Sequence, residues 1–434
     1  MDDFQIGVAG VIALIVLVVT GVRVFYAAAL VGLAGLVAMI GWDAGAGMVG
    51  TIPHSKSVTY SLSVLPMFIL IGFLAFHAGF TDALFDAARK WVGWVPGGLA
   101  VASVSAAAGF AAVSGASTAT AAVFSRVAIP EMLKYGYDRK LAAGVVAAGG
   151  TLASLIPPSA ILVIYAIIVE ESVGALLIAG FLPGIVSALI YVALIVGMCK
   201  LNPKLGRPIT GFAWSERWRS LPGTVPIIVV VVIIFSAMYF GWATPTEAGA
   251  LGAFIVFVIA LVRGMRWMAL KEALLESAKL TVMIFSIIWG VLVFVRFLGF
   301  AGLPEAFASW VTTLPLPPVL IIIGILLFYV VLGMFMDAIG MLLLTLPVVY
   351  PAVIALGYDP IWFGIVVVKM AEICLITPPI GLNCFVVNGV RPDIPLTDIF
   401  KGIAPFFLAD VATVGVFLAF PEVITWLPRT MNMG

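Results

Sequence analysis

The chain has 434 residues, of which 63% are hydrophobic and 10% are charged, and its formal net charge is +1. This composition excludes an ordinary soluble globular domain, and the near-neutral charge gives no reason to expect nucleic acid as a partner. Three cysteines and two histidines, scattered along the chain, make a disulfide framework or a zinc site a poor expectation. We therefore expect an all-α polytopic protein of the lipid bilayer, with room for about a dozen spans of roughly 20 residues.

The first segments of the chain predict three spans, at Phe4–Thr20, Val24–Ile40 and Tyr60–Ala78. The glycine-rich stretch Gly45–Gly50 matches the dinucleotide-binding fingerprint formally, but it follows a membrane span and not a strand, so a polar loop is predicted there. Thr81–Trp94 has apolar residues at helical spacing. That pattern fits a helix on the membrane surface, and it fits an ordinary solvated connecting helix equally well.

The next segment is apolar but interrupted. Pro96–Ile129 contains the stretch Ser114–Thr120, which has four hydroxyl side chains at membrane depth. A polar break of this kind is tolerated only where protein or a water-filled cavity lines it, so a re-entrant helical hairpin is predicted. Leu141–Tyr165 is long enough to cross the bilayer, but Gly149-Gly150 and Pro157-Pro158 interrupt it, which predicts a discontinuous helix.

The second half of the chain contains the same succession. Further spans are predicted at Val173–Cys199, Val225–Phe240, Ala248–Val262, Leu280–Phe300 and Ile399–Phe420. A second surface helix is predicted at Arg263–Lys279. Leu314–Pro351 is interrupted around Gly333–Gly340. Ile361–Val387 is broken at Pro378-Pro379, so a hairpin followed by a broken helix is predicted twice.

An internal repeat supports this interpretation. Three motifs recur at one offset, 357 − 136 = 221 residues: Gly136–Asp138 as Gly357–Asp359, Pro157-Pro158 as Pro378-Pro379, and Pro130 as Pro351. If the N-terminus lies outside and both hairpins are re-entrant, nearly all Lys and Arg residues fall on the inner side, and five crossings separate the two copies. An odd number of crossings inverts the second copy, so inverted-topology repeats are predicted, although parallel structural repeats stay open.

Broken helices near the midplane offer ligands of two kinds. Half-helix N-termini attract anions, whereas C-termini, unwound carbonyls and hydroxyls suit sodium. The predicted sodium ligands are Ser114, Gly115 and Ser117 facing Gly150 and Thr151, and Gly333 and Asp337 facing Thr377 and Gly381. The predicted substrate-binding residues are Ser114, Ser117, Ser159, Asp337 and Asn383. Two or more sodium ions are expected, and the alternative for the Ser114–Thr120 stretch is a small-residue packing face.

Other polar residues at membrane depth receive separate interpretations. Lys369 and Glu372 are three residues apart on one predicted helix and are interpreted as neutralising each other. Glu247 is predicted to cap a helix. Arg126 either tethers the first hairpin or lines the inner opening, and Asp410 has no assigned role. No convincing nucleophile and base, and no phosphate-binding G-x-x-x-x-G-K-[ST] stretch, are present, so neither an enzyme nor an ATP-driven pump is expected.

Several motifs together resemble the large membrane subunit of tripartite ATP-independent periplasmic (TRAP) transporters. These motifs are Val113–Met132, Gly136–Asp138, Gly150–Ser159, Ala243–Gly249 and Ile376–Gly381, and the resemblance covers nearly the whole chain. It implies a sodium-coupled elevator-type importer of the bacterial inner membrane, related in architecture to divalent-anion sodium symporters. The distribution of Lys and Arg residues places its N-terminus in the periplasm. Where relatives often have Gly-Ser-Ser, this chain has Gly-Ala-Ser, so Ala116 could contribute only backbone atoms.

The resemblance also implies partners and a division of the chain. The substrate would be an organic acid, such as a C4-dicarboxylate or sialic acid, delivered by a periplasmic substrate-binding protein. A small four-helix membrane subunit is expected as a separate chain. Residues 1–96 and 200–313 would form the scaffold with its two arms, and residues 97–199 and 314–434 the two halves of the transport domain, with a cytoplasmic-side and a periplasmic-side hairpin respectively. A stand-alone divalent-anion/sodium symporter and an ion channel are the alternatives.

Overall fold

The computed structural model describes residues 2–57 and 59–431, apart from the side chains of Lys56 and Ser57. These stretches form 21 α-helices and three short 3-10 helices, and they contain no strand. The α-helices are α1 Asp3–Val19, α2 Val24–Ile40, α3 Trp42–Ser57, α4 Val64–His77, α5 Phe80–Val92, α6 Gly98–Ser114, α7 Ser117–Lys134, α8 Arg139–Thr151, α9 Ala160–Val169, α10 Val173–Leu201, α11 Trp214–Ser220, α12 Val225–Tyr239, α13 Pro245–Val262, α14 Trp267–Phe300, α15 Leu303–Thr313, α16 Pro318–Gly333, α17 Ala338–Ala355, α18 Pro360–Ile376, α19 Leu382–Val390, α20 Leu396–Ala419 and α21 Glu422–Arg429. The 3-10 helices are Tyr60–Ser63, Leu152–Ser154 and Leu221–Gly223.

The lengths of these helices suit a bilayer. Within the described residues, six helical segments are long and apolar enough to cross a membrane, or seven when α12 is joined to the preceding segment across a 52° bend. Five shorter apolar helices, among them α1, α2 and α16, add to this set. The expectation of an all-helical, multi-pass membrane protein is therefore confirmed.

The repeat extends further than the sequence motifs indicated. Helices α7 and α17 both begin and end 221 residues apart, since 338 − 117 and 355 − 134 give the same offset. Helices α8 and α18 begin at Arg139 and Pro360, and α2 and α13 begin at Val24 and Pro245, again 221 apart. Both halves of the chain, including the predicted scaffold helices, thus repeat one arrangement of helices.

The two halves pack on each other reciprocally. Helix α2 packs against α14, and its counterpart α13 packs against α4, which is the counterpart of α14. In the same way α9 packs against α17, while its counterpart α19 packs against α7. Reciprocal contacts of this kind are expected when the two halves are related by an approximate twofold axis. The orientation of the halves relative to the membrane stays a prediction.

The repeated Gly-Tyr-Asp motif is a helix-ending and helix-starting turn. Gly136 and Gly357 have φ values of 75° and 84°, which glycine adopts without a steric penalty after a helix. Asp138 then caps α8 by accepting hydrogen bonds from the main-chain N–H groups of residues 140 and 141, and Asp359 caps α18 by accepting from Trp362 N at 2.9 Å. The motif therefore recurs because each half needs the same turn before its broken helix.

Helix α13 begins with the predicted capping box. Glu247 Oε2 accepts a hydrogen bond from Thr244 N at 2.8 Å, and Thr244 Oγ1 accepts one from Glu247 N at 3.3 Å. The interpretation of Glu247 as a cap is confirmed.

Helix α5 forms where a surface helix was predicted, and ion pairs connect it to the first hairpin. Arg89 bridges Asp86 on its own helix and Glu131 on α7, at 2.8 and 3.0 Å. Partial burial raises the pKa of Asp86, but hydrogen bonds from Lys90 and Arg89 outweigh it and leave that pKa below its ordinary value. Helix α5 is therefore attached to α7 by an ion pair as well as by packing.

Three predicted features were wrong. The break predicted at Gly149-Gly150 is absent, because both glycines lie inside α8, and the helix ends only at Thr151. The stretch Gly45–Gly50, predicted as a loop, lies inside α3. A Cβ atom at Gly45 would come within 3.1 Å of the Val37 backbone, so the glycine lets α3 pack closely on α2 and tertiary contact overrides its low helix propensity. The separate surface helix predicted at Arg263–Lys279 does not end before the next span. From Trp267 onward it is the first part of α14, because no glycine or proline lies between Trp267 and Trp289 to end it.

Candidate cation and substrate site

The first hairpin has a two-residue tip. Helix α6 ends at Ser114, Gly115 adopts φ 61°, Ala116 is extended, and α7 begins at Ser117. A Cβ atom at Gly115 would overlap the carbonyl oxygen of Pro158, and Ala160 N donates to Gly115 O at 3.4 Å. The tip therefore lies directly on the break between α8 and α9.

Four helix ends meet at this contact. Helix α6 and the 3-10 helix Leu152–Ser154 end here, and α7 and α9 begin here. The last carbonyl groups of a helix lack partners in a further turn and carry its negative end, whereas the first N–H groups carry its positive end. The junction thus offers carbonyl oxygens to a cation and N–H groups to an anion within one buried region.

Hydroxyl groups from both elements line the junction. The Ser117 hydroxyl hydrogen-bonds the Ser154 hydroxyl, and both residues are buried. A Cβ atom at Gly150 would lie 3.0 Å from Ser117 O, so this glycine lets α8 approach the tip. Thr120 Oγ1 donates to Ser114 Oγ at 3.4 Å. The structure therefore brings Gly115, Ser117 and Gly150 together, with Ser114 at the same tip.

Two features of this junction differ from the sequence interpretation. Thr151 Oγ1 donates to Ala148 O at 2.7 Å and lies 3.3 Å from the Tyr191 hydroxyl, so its side chain is directed to α10 and not to the tip. Ser154 occupies the position facing Ser117 and was missed. The only signal in the sequence was that residue 154 is a serine within the Gly150–Ser159 motif.

The second hairpin is built differently at its tip. Helix α16 ends at Gly333, where an added Cβ would overlap the Cys374 sulfur of α18. Asp337 caps α17 by accepting a hydrogen bond from Gly340 N at 3.0 Å, and it is half-buried. A carboxylate here is stabilised by the helix N-terminus. In this structure Asp337 therefore acts as the N-cap of α17.

The second break places two of its predicted residues side by side. Gly381 has φ 47°, and a Cβ atom there would lie 3.3 Å from Thr377 O. The Thr377 hydroxyl donates to Ile373 O at 2.6 Å. Gly333 contacts α18 at Cys374, three residues before Thr377. Within the described residues no hydrogen bond joins Asp337 to this break, so the second predicted cage is less fully assembled than the first.

Two predicted substrate ligands are enclosed. Ser159 caps α9 by accepting from Leu162 N at 3.3 Å, and its hydroxyl donates to Ser154 O. Asn383 Nδ2 donates to Ala147 O at 3.1 Å, which joins the second broken helix to α8. Both side chains are fully buried, so they shape the junction from inside in this conformation, and direct contact with substrate stays a prediction.

A cavity opens beside the first tip. It has a volume of about 160 Å³ and lies between α4, α6, α7 and α14, with Ser114 and Ala116 in its wall. Arg126 on α7 and Glu276 on α14 line the same cavity, and Glu276 Oε2 lies 3.0 Å from His77 Nε2. Arg126 therefore lines a cavity beside the first tip, and the assignment of this cavity to the inner opening stays a prediction.

These features define a helical membrane protein with two repeats, each containing a hairpin and a broken helix. The family described as "Tripartite ATP-independent periplasmic transporter, DctM component" matches residues 11–423, and the chain belongs to this family. The TRAP resemblance of the motifs is thereby confirmed. The relatives are transporter permeases and not enzymes.

Named relatives agree along most of the chain. It is 37% identical over 379 residues to the C4-dicarboxylate TRAP transporter large permease protein DctM of Pseudomonas aeruginosa, covering 86% of this chain and 88% of that protein. It is 31% identical to the 2,3-diketo-L-gulonate TRAP transporter large permease protein YiaN of Escherichia coli, covering 84% and 86%. It is 29% identical to the sialic acid TRAP transporter large permease protein SiaM of Vibrio cholerae, covering 85% and 86%.

A solved structure shows the same fold. The YdaH transporter of Alcanivorax borkumensis superposes with a TM-score of 0.60 at 15% sequence identity, covering 88% of this chain and 89% of that one. At this identity the likeness concerns the fold alone.

Proposed function

We propose that this chain is the large membrane subunit of a sodium-coupled importer of an organic acid anion. The relatives named for C4-dicarboxylate, sialic acid and 2,3-diketo-L-gulonate support the class of substrate. The protein lies in the bacterial inner membrane with its N-terminus in the periplasm, and its two repeats have inverted topology. A periplasmic substrate-binding protein delivers the anion, and a small four-helix membrane subunit assembles with this chain.

The junction at the first tip carries the sodium proposal. There the ends of α6 and of the 3-10 helix after α8 converge with the Ser117 and Ser154 hydroxyls, which supplies neutral oxygen ligands without a fixed negative charge. Unwound carbonyls and half-helix C-termini are the groups that bind coupling sodium ions in transporters with broken helices. The N-terminus of α7, at the same junction, suits a carboxylate of the substrate.

An elevator movement is the proposed means of exposure. The hairpins and broken helices, in residues 97–199 and 314–434, move against the scaffold in residues 1–96 and 200–313. The contact between Gly72 of α4 and Ser114 supports this division, because an added Cβ at Gly72 would lie 2.8 Å from Ser114 O. At Gly72 the scaffold helix has no side chain that would block movement of the first tip. The cavity at Arg126 then opens the site to the cytoplasm.

Replacement of sodium tests the coupling. Proteoliposomes containing this chain, its small subunit and the cognate binding protein are expected to accumulate radiolabelled organic acid when sodium is outside. With potassium in place of sodium, uptake should fall to the level of protein-free liposomes, because the oxygen cage is occupied only by the smaller ion. Uptake that is equal in the two salts would contradict sodium coupling.

A further inference from the structure

A second polar cluster lies deep inside the helix packing, away from the hairpin tips. Lys369 and Glu372 are on α18, and Asp410 is on α20. Lys369 Nζ lies 2.7 Å from Glu372 Oε2 and 2.8 Å from Asp410 Oδ1, and all three side chains are fully buried. The predicted pairing of Lys369 with Glu372 is confirmed, but the third member, Asp410, comes from a different helix.

The charges of this cluster do not balance. Two carboxylates and one ammonium leave a net charge of −1 when all three groups are ionised. Within the described part of the chain, Glu372 Oε1 and Asp410 Oδ2 have no hydrogen-bond partner although both atoms are buried. An uncompensated charge in a low-dielectric interior is strongly unfavourable. The site therefore requires one further positive charge.

A proton satisfies this requirement better than a metal ion. The Lys369 ammonium already lies between the two carboxylates, so a metal cation bound there would lie beside a positive charge. A proton needs only one carboxylate oxygen, and it converts an unpaired acceptor into a donor. We infer that Lys369, Glu372 and Asp410 form a proton-binding site that holds one exchangeable proton.

Among the described residues, no further ion pair reaches this cluster. From α10, the Tyr191 hydroxyl donates to Asp410 Oδ1 at 2.6 Å, and Lys369 Nζ lies 5.5 Å from the centre of the Tyr191 ring. On α18 itself, the Cys374 thiol is directed to Tyr329 O at 3.6 Å, away from the cluster. Asp398, near the start of α20, pairs with Arg139.

Close polar contacts connect the proton site to the end of α8. Asp410 Oδ1 accepts from Tyr191, and the Tyr191 hydroxyl lies 3.3 Å from Thr151 Oγ1 at the end of α8. A neutral cluster lowers the cost of holding these charges at membrane depth.

Infrared spectroscopy of the purified full chain in lipid nanodiscs tests the site directly. Near neutral pH, where exposed carboxyl groups are ionised, the wild type is expected to show the carbonyl band of one protonated carboxyl, which shifts in D2O. Glu372→Gln and Asp410→Asn should each remove this band, because either change leaves one carboxylate balanced by Lys369. Asp43→Asn, which alters an exposed carboxyl, is the matched control and should keep it.

A third variant guards against poor folding of the first two. Lys369→Met removes the ammonium and leaves two carboxyl groups. Both must then be protonated for the cluster to be neutral, so the intensity of the carbonyl band should roughly double. A wild type without the band, a band that survives in either neutral variant, or an unchanged band in Lys369→Met overturns the inference. The proton-binding site does not depend on the proposed sodium site. The infrared spectrum therefore tests the proton-binding site alone, and the sodium replacement experiment tests sodium coupling alone.

Discussion

Gly115→Ala is expected to reduce uptake at least about tenfold. The φ of 61° at this position costs an alanine about 1–2 kcal/mol, and its Cβ would overlap the carbonyl oxygen of Pro158. Because the overlapping atom belongs to the backbone, the tip has to move away from the break. Separation of the tip from Ser154 dismantles the proposed cation cage, and each 1.4 kcal/mol lost in binding is a factor of ten. Radiolabelled uptake in proteoliposomes measures the effect.

The matched control is Gly136→Ala. Gly136 also has a positive φ, 75°, but an added Cβ would meet nothing within 4 Å. This variant therefore has the backbone strain without the collision, and its uptake is expected to stay close to that of the wild type when corrected for the amount of folded protein. Equal losses in the two variants would mean that strain alone, and not contact between tip and break, explains the effect.

Gly402→Ala is expected to destabilise the protein by at least about 3 kcal/mol, the upper end of the range for overpacking. An added Cβ would overlap Lys140 O on α8, and one at Gly144 would overlap Gly402 O. The two glycines thus let the backbones of α8 and α20 touch, and no flexible side chain can move aside. The loss should appear in the thermal unfolding midpoint of the detergent-solubilised chain, followed by size-exclusion chromatography.

Gly415→Ala provides the comparison on the same helix. An added Cβ at Gly415 would meet nothing within 4 Å, and alanine in a helix interior is favoured over glycine by about 1 kcal/mol. The midpoint should therefore be unchanged or slightly higher. A midpoint for Gly402→Ala equal to that of Gly415→Ala would show that α8 and α20 are not in close contact.

The repeat and the helix ends could be predicted from the sequence because local chemistry determines them. A glycine with positive φ at Gly136 or Gly357, followed by a capping aspartate, ends one helix and begins the next without help from distant residues. The proline pairs interrupt their helices for a similarly local reason. These signals located both hairpins and both broken helices within a few residues.

Elements that depend on distant packing were less predictable. Helix α3 forms in a glycine-rich stretch because it packs on α2, and no local pattern indicated it. In the candidate site, Gly115, Ser117 and Gly150 meet as expected, whereas Thr151 is directed to Tyr191. Asp410 likewise joins Lys369 from a separate helix. Side-chain directions across helices follow from tertiary packing, which a single sequence does not display.

Binding of radioactive sodium to the purified chain tests the proposed cage most directly. The wild type should bind sodium saturably, with little competition from potassium. Ser117→Ala should weaken that binding, because it removes the hydroxyl that faces Ser154 at the first tip. Ser125→Ala, a buried serine on the same helix whose hydroxyl donates to Ala121 O, should bind as the wild type does. Sodium binding that is absent, displaced equally by potassium, or unaffected by Ser117→Ala would contradict the assignment of the first hairpin tip as a sodium site.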